Sequence, residues 1–146
     1  MLQNLIYFTA ILNVQGMNVK IDTKEKFTVI TPSEPDISAN MTEKLKDLLL
    51  EYLNRPIPHV ILNMQQVQSA DDHVLQEIAT IQQEFYARGC SFVICEMNKN
   101  IIAQLEAADL FDVMNTTPTE SEAWDILQME EVERELLRDF ENNEEL

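Results

Sequence analysis

Val60-Ile61-Leu62-Asn63-Met64 is a continuous apolar run, and Ser69-Ala70-Asp71-Asp72-His73-Val74-Leu75 follows it after a short connection. The first stretch is typical of a strand that is buried on both faces, and the second is typical of the start of a helix. A helix N-terminus carries unpaired N–H groups and a partial positive charge. We therefore expect Asp71 and Asp72 to lie at a point of the fold that favours negative charge.

Outward from this stretch, apolar segments of strand length alternate with amphipathic segments of helix length. The predicted strands are 19–21, 27–31, 60–64, 91–95 and 110–114, and the predicted helices are 39–53, 70–88, 98–107 and 119–140. Thr119 and Glu122 have the spacing of a capping box at the start of the last helix. This order predicts a single α/β domain whose mostly parallel sheet has about five strands, with helices packed against it.

The composition limits the classes of function. The chain of 146 residues carries 26 acidic and 10 basic side chains, a net charge of −16. Such a chain repels phosphate backbones and anionic lipid surfaces, so we expect no nucleic-acid binding and no attraction to membranes. The length suffices for one domain with a proper core. We expect a cytoplasmic protein.

Three regions are distinguished along the chain. Residues 1–16 contain no charged side chain and are too short and mixed to insert in a bilayer. Because Met17 follows directly, these residues are interpreted as an artefact of start-site choice, or as an extra strand or helix that packs on the domain or on a second copy. Residues 17–128 form the domain, and residues 129–146 form an acidic helical extension.

Acidic residues are concentrated at the C-terminus. From Thr119 onward, eleven Asp and Glu stand against Arg134 and Arg138, a net charge of −9. We interpret this segment as a solvated helix that keeps the protein soluble, and the alternative is a tail that steers a basic partner.

The sequence offers little that could carry catalysis. Its two glycines are too few for a phosphate-binding loop, and its two histidines are isolated from other ligands. Cys90 and Cys95 lie five residues apart on a predicted strand, so they point to opposite faces. Adjacent Asp71 and Asp72 diverge by about 100° on a helix. We therefore predict no catalytic residue, no cofactor and no metal site.

Three short motifs occur in a characteristic order. Asp71-Asp72-His73-Val74-Leu75 opens the second helix, Glu34-Pro35-Asp36 precedes the first, and Thr117-Pro118-Thr119-Glu120-Ser121-Glu122-Ala123 leads into the last. With the order of elements from Val19 to Leu127, they resemble the STAS family, the sulfate transporter and anti-sigma factor antagonist domains. That family has Asp-Ser-Ser/Thr-Gly-hydrophobic, Glu-Leu-Asp and Thr-x-x-Glu-Ala at these places.

The resemblance implies protein–protein binding without catalysis, with an anti-sigma factor or kinase-like protein as the partner. In members that antagonise anti-sigma factors, phosphorylation of the motif serine releases the partner. Here Asp72 occupies the serine position, Val74 replaces the glycine, and Asn63 stands where an Asp is common. Phosphorylation cannot occur at residue 72.

Two interpretations of Asp72 remain open. Its carboxylate has less charge than a phosphoserine, so it could imitate the modified state only in part and bias the protein towards the released, low-affinity form. Alternatively, Ser69 and Asp72 form a capping box, and Asp71 and Asp72 simply complement the helix dipole.

We expect the binding face at the N-terminal end of the second helix. Its residues are Ser69, Asp71, Asp72, His73 and Gln76, with the Asp36 loop beside them. One alternative function is an accessory subunit of a lipid-transport ATPase, since such family members often lack the serine. Another is a self-associating structural domain, a homodimer with the apolar N-terminal segment at its interface.

Overall fold

The computed structural model describes residues 8–144. The strands are β1 (Phe8–Val14), β2 (Met17–Thr23), β3 (Thr28–Pro32), β4 (Asp36–Ile37), β5 (Val60–Asn63), β6 (Ser69–Ala70), β7 (Phe92–Cys95) and β8 (Thr116–Thr117). The helices are α1 (Thr42–Glu51), α2 (Asp72–Ala87), α3 (Lys99–Ala107) and α4 (Glu120–Glu144).

Six strands form the main sheet, in the order β1-β2-β3-β5-β7-β8. The first three are antiparallel neighbours, whereas β3, β5, β7 and β8 run parallel. Strands β4 and β6 form a separate parallel ladder. The predicted α/β class is thereby confirmed.

The sixth strand comes from the uncharged N-terminal segment. Strand β1 pairs with β2 along its whole length, from Phe8 opposite Thr23 to Val14 opposite Met17. Gln15 and Gly16 connect the two strands with φ angles of 52° and 93°, the positive values that a two-residue hairpin turn requires. Residues 8–14 thus form an additional strand that packs on the domain, and residues 1–7 lie outside the described range.

Helices cover both faces of the sheet. Alternating side chains of β5 separate the two layers: Val60 and Leu62 belong to the core shared with α1, α2 and α3, whereas Ile61 faces α4. The apolar contacts of α4 with the sheet are made near its beginning, by Ala123 and Leu127, and the Trp124 and Phe27 rings pack edge to face with their centroids 4.8 Å apart. Further along, Arg134 donates a hydrogen bond to the Ser91 hydroxyl at 2.8 Å. In the described part of the chain, no helix has the length and apolar composition needed to cross a bilayer.

The predicted strand at 110–114 is wrong. Phe111–Val113 form a single 3₁₀ turn, and strand β8 begins only at Thr116. The Gln82 side chain fixes this position, since its Oε1 accepts the Asn115 N–H at 2.9 Å and its Nε2 donates to the Asn115 carbonyl at 3.0 Å. The apolar residues of segment 110–114 differ in burial: Phe111 packs against the core shared with α1, α2 and α3, whereas Val113 is exposed.

One of the two hydrogen bonds of the capping box predicted at the start of α4 is confirmed. The Thr119 hydroxyl accepts the Glu122 N–H at 3.2 Å. The reciprocal part differs from the predicted capping box, because the Glu122 carboxylate accepts from the Thr119 hydroxyl at 3.1 Å instead of from the backbone.

Candidate functional site

The ladder between β4 and β6 places the Asp36 loop beside the start of α2. Asp36 pairs with Ser69, and the Ser69 hydroxyl donates a hydrogen bond to the Asp36 carboxylate. The N–H groups of Gln68 and Ser69 both donate to the Pro35 carbonyl, at 2.7 and 3.0 Å. The Asp36 loop and the segment before α2 are therefore joined by both backbone and side-chain hydrogen bonds.

Asp71 connects α2 to the segment before α1. It occupies the N-cap position with an extended backbone, φ −68° and ψ 149°, yet its carboxylate makes no hydrogen bond to the first turn of α2. Its Oδ2 instead accepts the Ala39 N–H at 2.7 Å, and its own N–H donates to the Ile37 carbonyl at 3.0 Å. Asp71 is thus a cross-link between two elements.

Asp72 is the first residue of α2 and is exposed. Its Oδ1 accepts a hydrogen bond from the Gln104 Nε2 at 3.0 Å, and the same nitrogen donates to the Ala70 carbonyl at 2.9 Å. Gln104 therefore holds α3 against the end of β6 and the beginning of α2. The Asp72 carboxylate lies in the first turn of α2, where the helix dipole favours a negative charge.

The predicted capping box of Ser69 and Asp72 is wrong. Ser69 lies in strand β6 and uses its hydroxyl on Asp36, while the Asp72 carboxylate contacts Gln104. The physical reason is that the β4–β6 ladder keeps the backbone extended through Ala70, so that α2 begins three residues after Ser69. The two carboxylates still stand at the helix N-terminus.

Asp72, His73 and Gln76 form an exposed edge at the start of α2, which we call the rim. The His73 and Gln76 side chains are exposed, whereas Val74 and Leu75 between them are buried. His73 makes no hydrogen bond or ion pair with any other residue between 8 and 144. Gln76, Asp72 and Gln104 line a shallow depression of about 290 Å³ whose remaining walls are mostly apolar. This exposed edge of α2 therefore presents a carboxylate, an imidazole and an amide to solvent.

Sequence reasoning missed Gln104 and Asn98 as parts of this site. The Asn98 Nδ2 donates to the Gln68 carbonyl at 2.8 Å, and its Oδ1 caps α3 by accepting the Ile101 N–H at 2.9 Å. An Asn before a helix is a recognisable capping signal, but nothing in its pattern indicates contact with residue 68. Gln104 carries no sequence signal at all, since polar residues are ordinary on amphipathic helices.

The site's chemistry is that of hydrogen bonds and charge. Among the described residues, no group of three His, Cys, Asp or Glu side chains is arranged to hold a metal ion. Burial raises the pKa of the Cys95 thiol to about 12 and also raises the pKa of the Cys90 thiol. Both thiols are therefore protonated and weakly nucleophilic at neutral pH.

This site lies inside the segment 18–123, which matches the STAS domain as a protein family. The chain belongs to the STAS family. The match spans the sheet from β2 to the first turn of α4 and so includes every residue of the predicted binding face. No match is found among curated protein sequences.

Solved structures share the STAS fold at low sequence identity. A Thermotoga maritima protein assigned as an anti-sigma factor antagonist is 17% identical, with a TM-score of 0.65, covering 88% of this chain and 99% of its own. A serine-to-glutamate variant of RsbS from Moorella thermoacetica is 18% identical, with a TM-score of 0.63, covering 75% and 94%. The murine anion transporter Slc26a9 is 13% identical, with a TM-score of 0.61, covering 71% of this chain but 18% of the transporter.

Proposed function

We propose that this STAS domain is a non-catalytic, cytoplasmic protein-binding module that acts as an anti-sigma factor antagonist. Its binding surface is the α2 face, which comprises Asp36, Ser69, Asp71, Asp72, His73 and Gln76. The partner is an anti-sigma factor or a related kinase-like protein. Similarity to structures described as anti-sigma factor antagonists supports this class of partner.

The observation that carries the proposal is the cross-linking beneath the exposed rim. Asp71 ties α2 to Ala39, the Ser69 hydroxyl ties β6 to Asp36, and Gln104 ties both to α3. A surface held from several elements loses little conformational entropy on binding, so its polar groups are preorganised for a partner. His73 and Gln76 remain exposed on that rigid base.

Asp72 gives the α2 face a fixed negative charge. Within residues 8–144 the contact of this carboxylate is the neutral Gln104 amide, so its charge is not compensated by a cation. We propose that this charge biases the domain towards the low-affinity form that other family members reach by phosphorylation. The similar Moorella structure also carries an acidic residue, a glutamate introduced in place of a serine.

Affinity purification from the native host tests the function. Tagged wild-type protein should recover a kinase-like anti-sigma factor, and Gln76→Arg should abolish recovery because it places a long cation on the rim. Gln83→Arg is the matched control, since this exposed glutamine lies two turns further along the same side of α2. Recovery of a transport ATPase instead, or equal recovery with both variants, would contradict the proposal.

Titration of the recovered partner tests the role of Asp72. Asp72→Asn keeps an acceptor for Gln104 and removes the charge, and Asp72→Ser restores a hydroxyl at the family position. Both should bind the partner about tenfold more tightly than wild type, which corresponds to about 1.4 kcal/mol. Unchanged affinity in both variants would show that Asp72 acts only on the helix dipole.

A further inference from the structure

The second half of α4 carries a row of exposed apolar side chains. Met129, Val132, Leu136 and Phe140, which we call the α4 stripe, are each between 54% and 63% exposed. Their spacing of three or four residues places them along one side of the helix. Leu136 lies nine residues after the buried Leu127, which is about half a turn away around the helix axis. The middle of the stripe therefore points away from the sheet, while Val132 also borders a pocket that Phe27 and Trp124 line.

Acidic side chains accompany the stripe. Helix α4 contains ten Asp and Glu and two Arg, a net charge of −8. Both arginines are engaged by Glu131, at 2.9 Å from Arg134 and 3.6 Å from Arg138. The acidic residues that form no ion pair with any residue between 8 and 144 include Glu133, Glu135, Asp139 and Glu141. The outer surface of this half of α4 is thus apolar along one line and negative beside it.

We propose that the α4 stripe binds a basic amphipathic helix of a partner protein. The apolar side of such a helix would cover the stripe, which spans about 17 Å from Met129 to Phe140, or three turns. Its Lys and Arg residues would lie next to Glu133, Glu135 and Asp139. Both the apolar contact and the charge pairing follow from the side chains that α4 exposes.

Charge also argues against the other possible occupants of the stripe. A second copy of this chain would bring together two helices that each carry a net charge of −8, and these repel at short distance. An anionic lipid surface would be repelled in the same way. A basic amphipathic helix, by contrast, is attracted by the acidic side chains of α4 and buries the α4 stripe.

The stripe is independent of the α2 face. Helix α2 packs in the core on one side of the sheet, and α4 packs on the other side. The two surfaces can therefore be occupied together, and a variant of one should leave binding at the other unchanged. The proposal does not rest on the identity of the α2-face partner.

Fluorescence anisotropy with a synthetic peptide tests the proposal. The probe is a labelled 15-residue Leu/Lys peptide with helical amphipathic order, and its control is a peptide of the same composition in scrambled order. At about 150 mM salt, where exposed charges are partly screened, the full chain should bind the amphipathic peptide at least about tenfold more tightly. Equal affinity for both peptides would overturn the proposal, because it would mean ionic attraction alone.

Variants locate the binding site. The triple variant Val132→Gln, Leu136→Gln and Phe140→Gln keeps the charge and the helix-forming tendency of α4, and it should weaken peptide binding at least about tenfold. The pair Ile11→Gln and Val113→Gln removes two other exposed apolar side chains and should change nothing. Circular dichroism checks that α4 stays helical, so unchanged binding by a folded triple variant would overturn the proposal.

Sedimentation velocity tests whether a second copy of this chain, instead of a partner helix, covers the α4 stripe. The wild-type chain and the triple variant should both sediment as monomers at micromolar concentration. A wild-type dimer that the triple variant dissociates would overturn the proposal, because the stripe would then be covered by another copy.

Discussion

Asp71 stabilises the connection between α2 and the segment before α1, because its carboxylate accepts the Ala39 N–H at 2.7 Å. Asp71→Ala removes this acceptor and should lower the free energy of unfolding by about 1 kcal/mol, as the loss of one hydrogen bond does. Urea denaturation measures the difference. Asp71→Asn, which keeps an oxygen at the same place, should retain most of the stability, and equal stability of the Ala variant and wild type would contradict the role.

The role of Asp71 shows the limit of sequence reasoning at the residue scale. A carboxylate just before an amphipathic segment predicts a helix start, and α2 does begin at Asp72. The partner of that carboxylate is Ala39, 32 residues earlier in the chain. Local patterns describe only what a residue could do for its own helix, so the cross-links made by Asp71 and Gln104 could not be predicted.

His59 gives the fold a dependence on pH. Its Nδ1 accepts the Ser91 N–H at 3.0 Å, and its Nε2 lies 3.4 Å from Arg134 and 3.7 Å from Glu131. Burial and the Arg134 charge lower the pKa of His59 below 6.5, although Glu131 opposes them. The folded state thus holds the imidazole neutral, while the unfolded chain binds a proton below about pH 6.5. This contribution to stability is present above that pH and is lost as the pH falls.

Urea midpoints at pH 7.5 and pH 5.5 check the dependence. His59→Asn is the informative variant, because its amide oxygen can accept the Ser91 N–H but does not titrate. The midpoint should fall further in wild type than in His59→Asn over this range. Parallel changes in the two proteins would show that other groups cause the pH dependence.

At the scale of elements, α4 consists of two physically different halves. Its first half packs on the sheet through Leu127, which is 4% exposed, whereas Leu137 is 63% exposed. Leu127→Ala should therefore cost about 2–4 kcal/mol of unfolding free energy, because it leaves a cavity under the helix. Leu137→Ala should change stability by no more than about 0.5 kcal/mol. Similar losses measured for the two variants by urea denaturation would contradict this division of α4.

The periodicity of the sequence predicted these elements well where each one buries its own apolar face. The strands at 60–64 and 91–95 and the helices α1 to α4 follow directly from it. The prediction failed at 110–114, where an apolar pentapeptide forms a turn because Gln82 fixes the neighbouring Asn115. The position of β8 depends on that tertiary contact, which no local pattern contains.

At the scale of the whole molecule, the sheet separates two candidate binding surfaces. The α2 face lies at the side of the sheet covered by α1, α2 and α3, and the α4 stripe lies on the other. Alternation of strands and helices was sufficient to predict an α/β domain with helices packed against its sheet, but not which helix covers which face. The surfaces themselves could be predicted only in part, since exposed residues obey no packing period and their significance depends on which elements meet.

Amide hydrogen exchange of the full chain, with and without the partner recovered by affinity purification, tests the central claim most directly. Binding at the α2 face should slow exchange in residues 36–41 and 69–77, which include β4, the 3₁₀ turn Ala39–Met41, β6 and the beginning of α2. The Gln76→Arg variant should show no such change. Protection confined to other segments, such as β1 at the sheet edge, would contradict the assignment of the α2 face as the protein-binding surface.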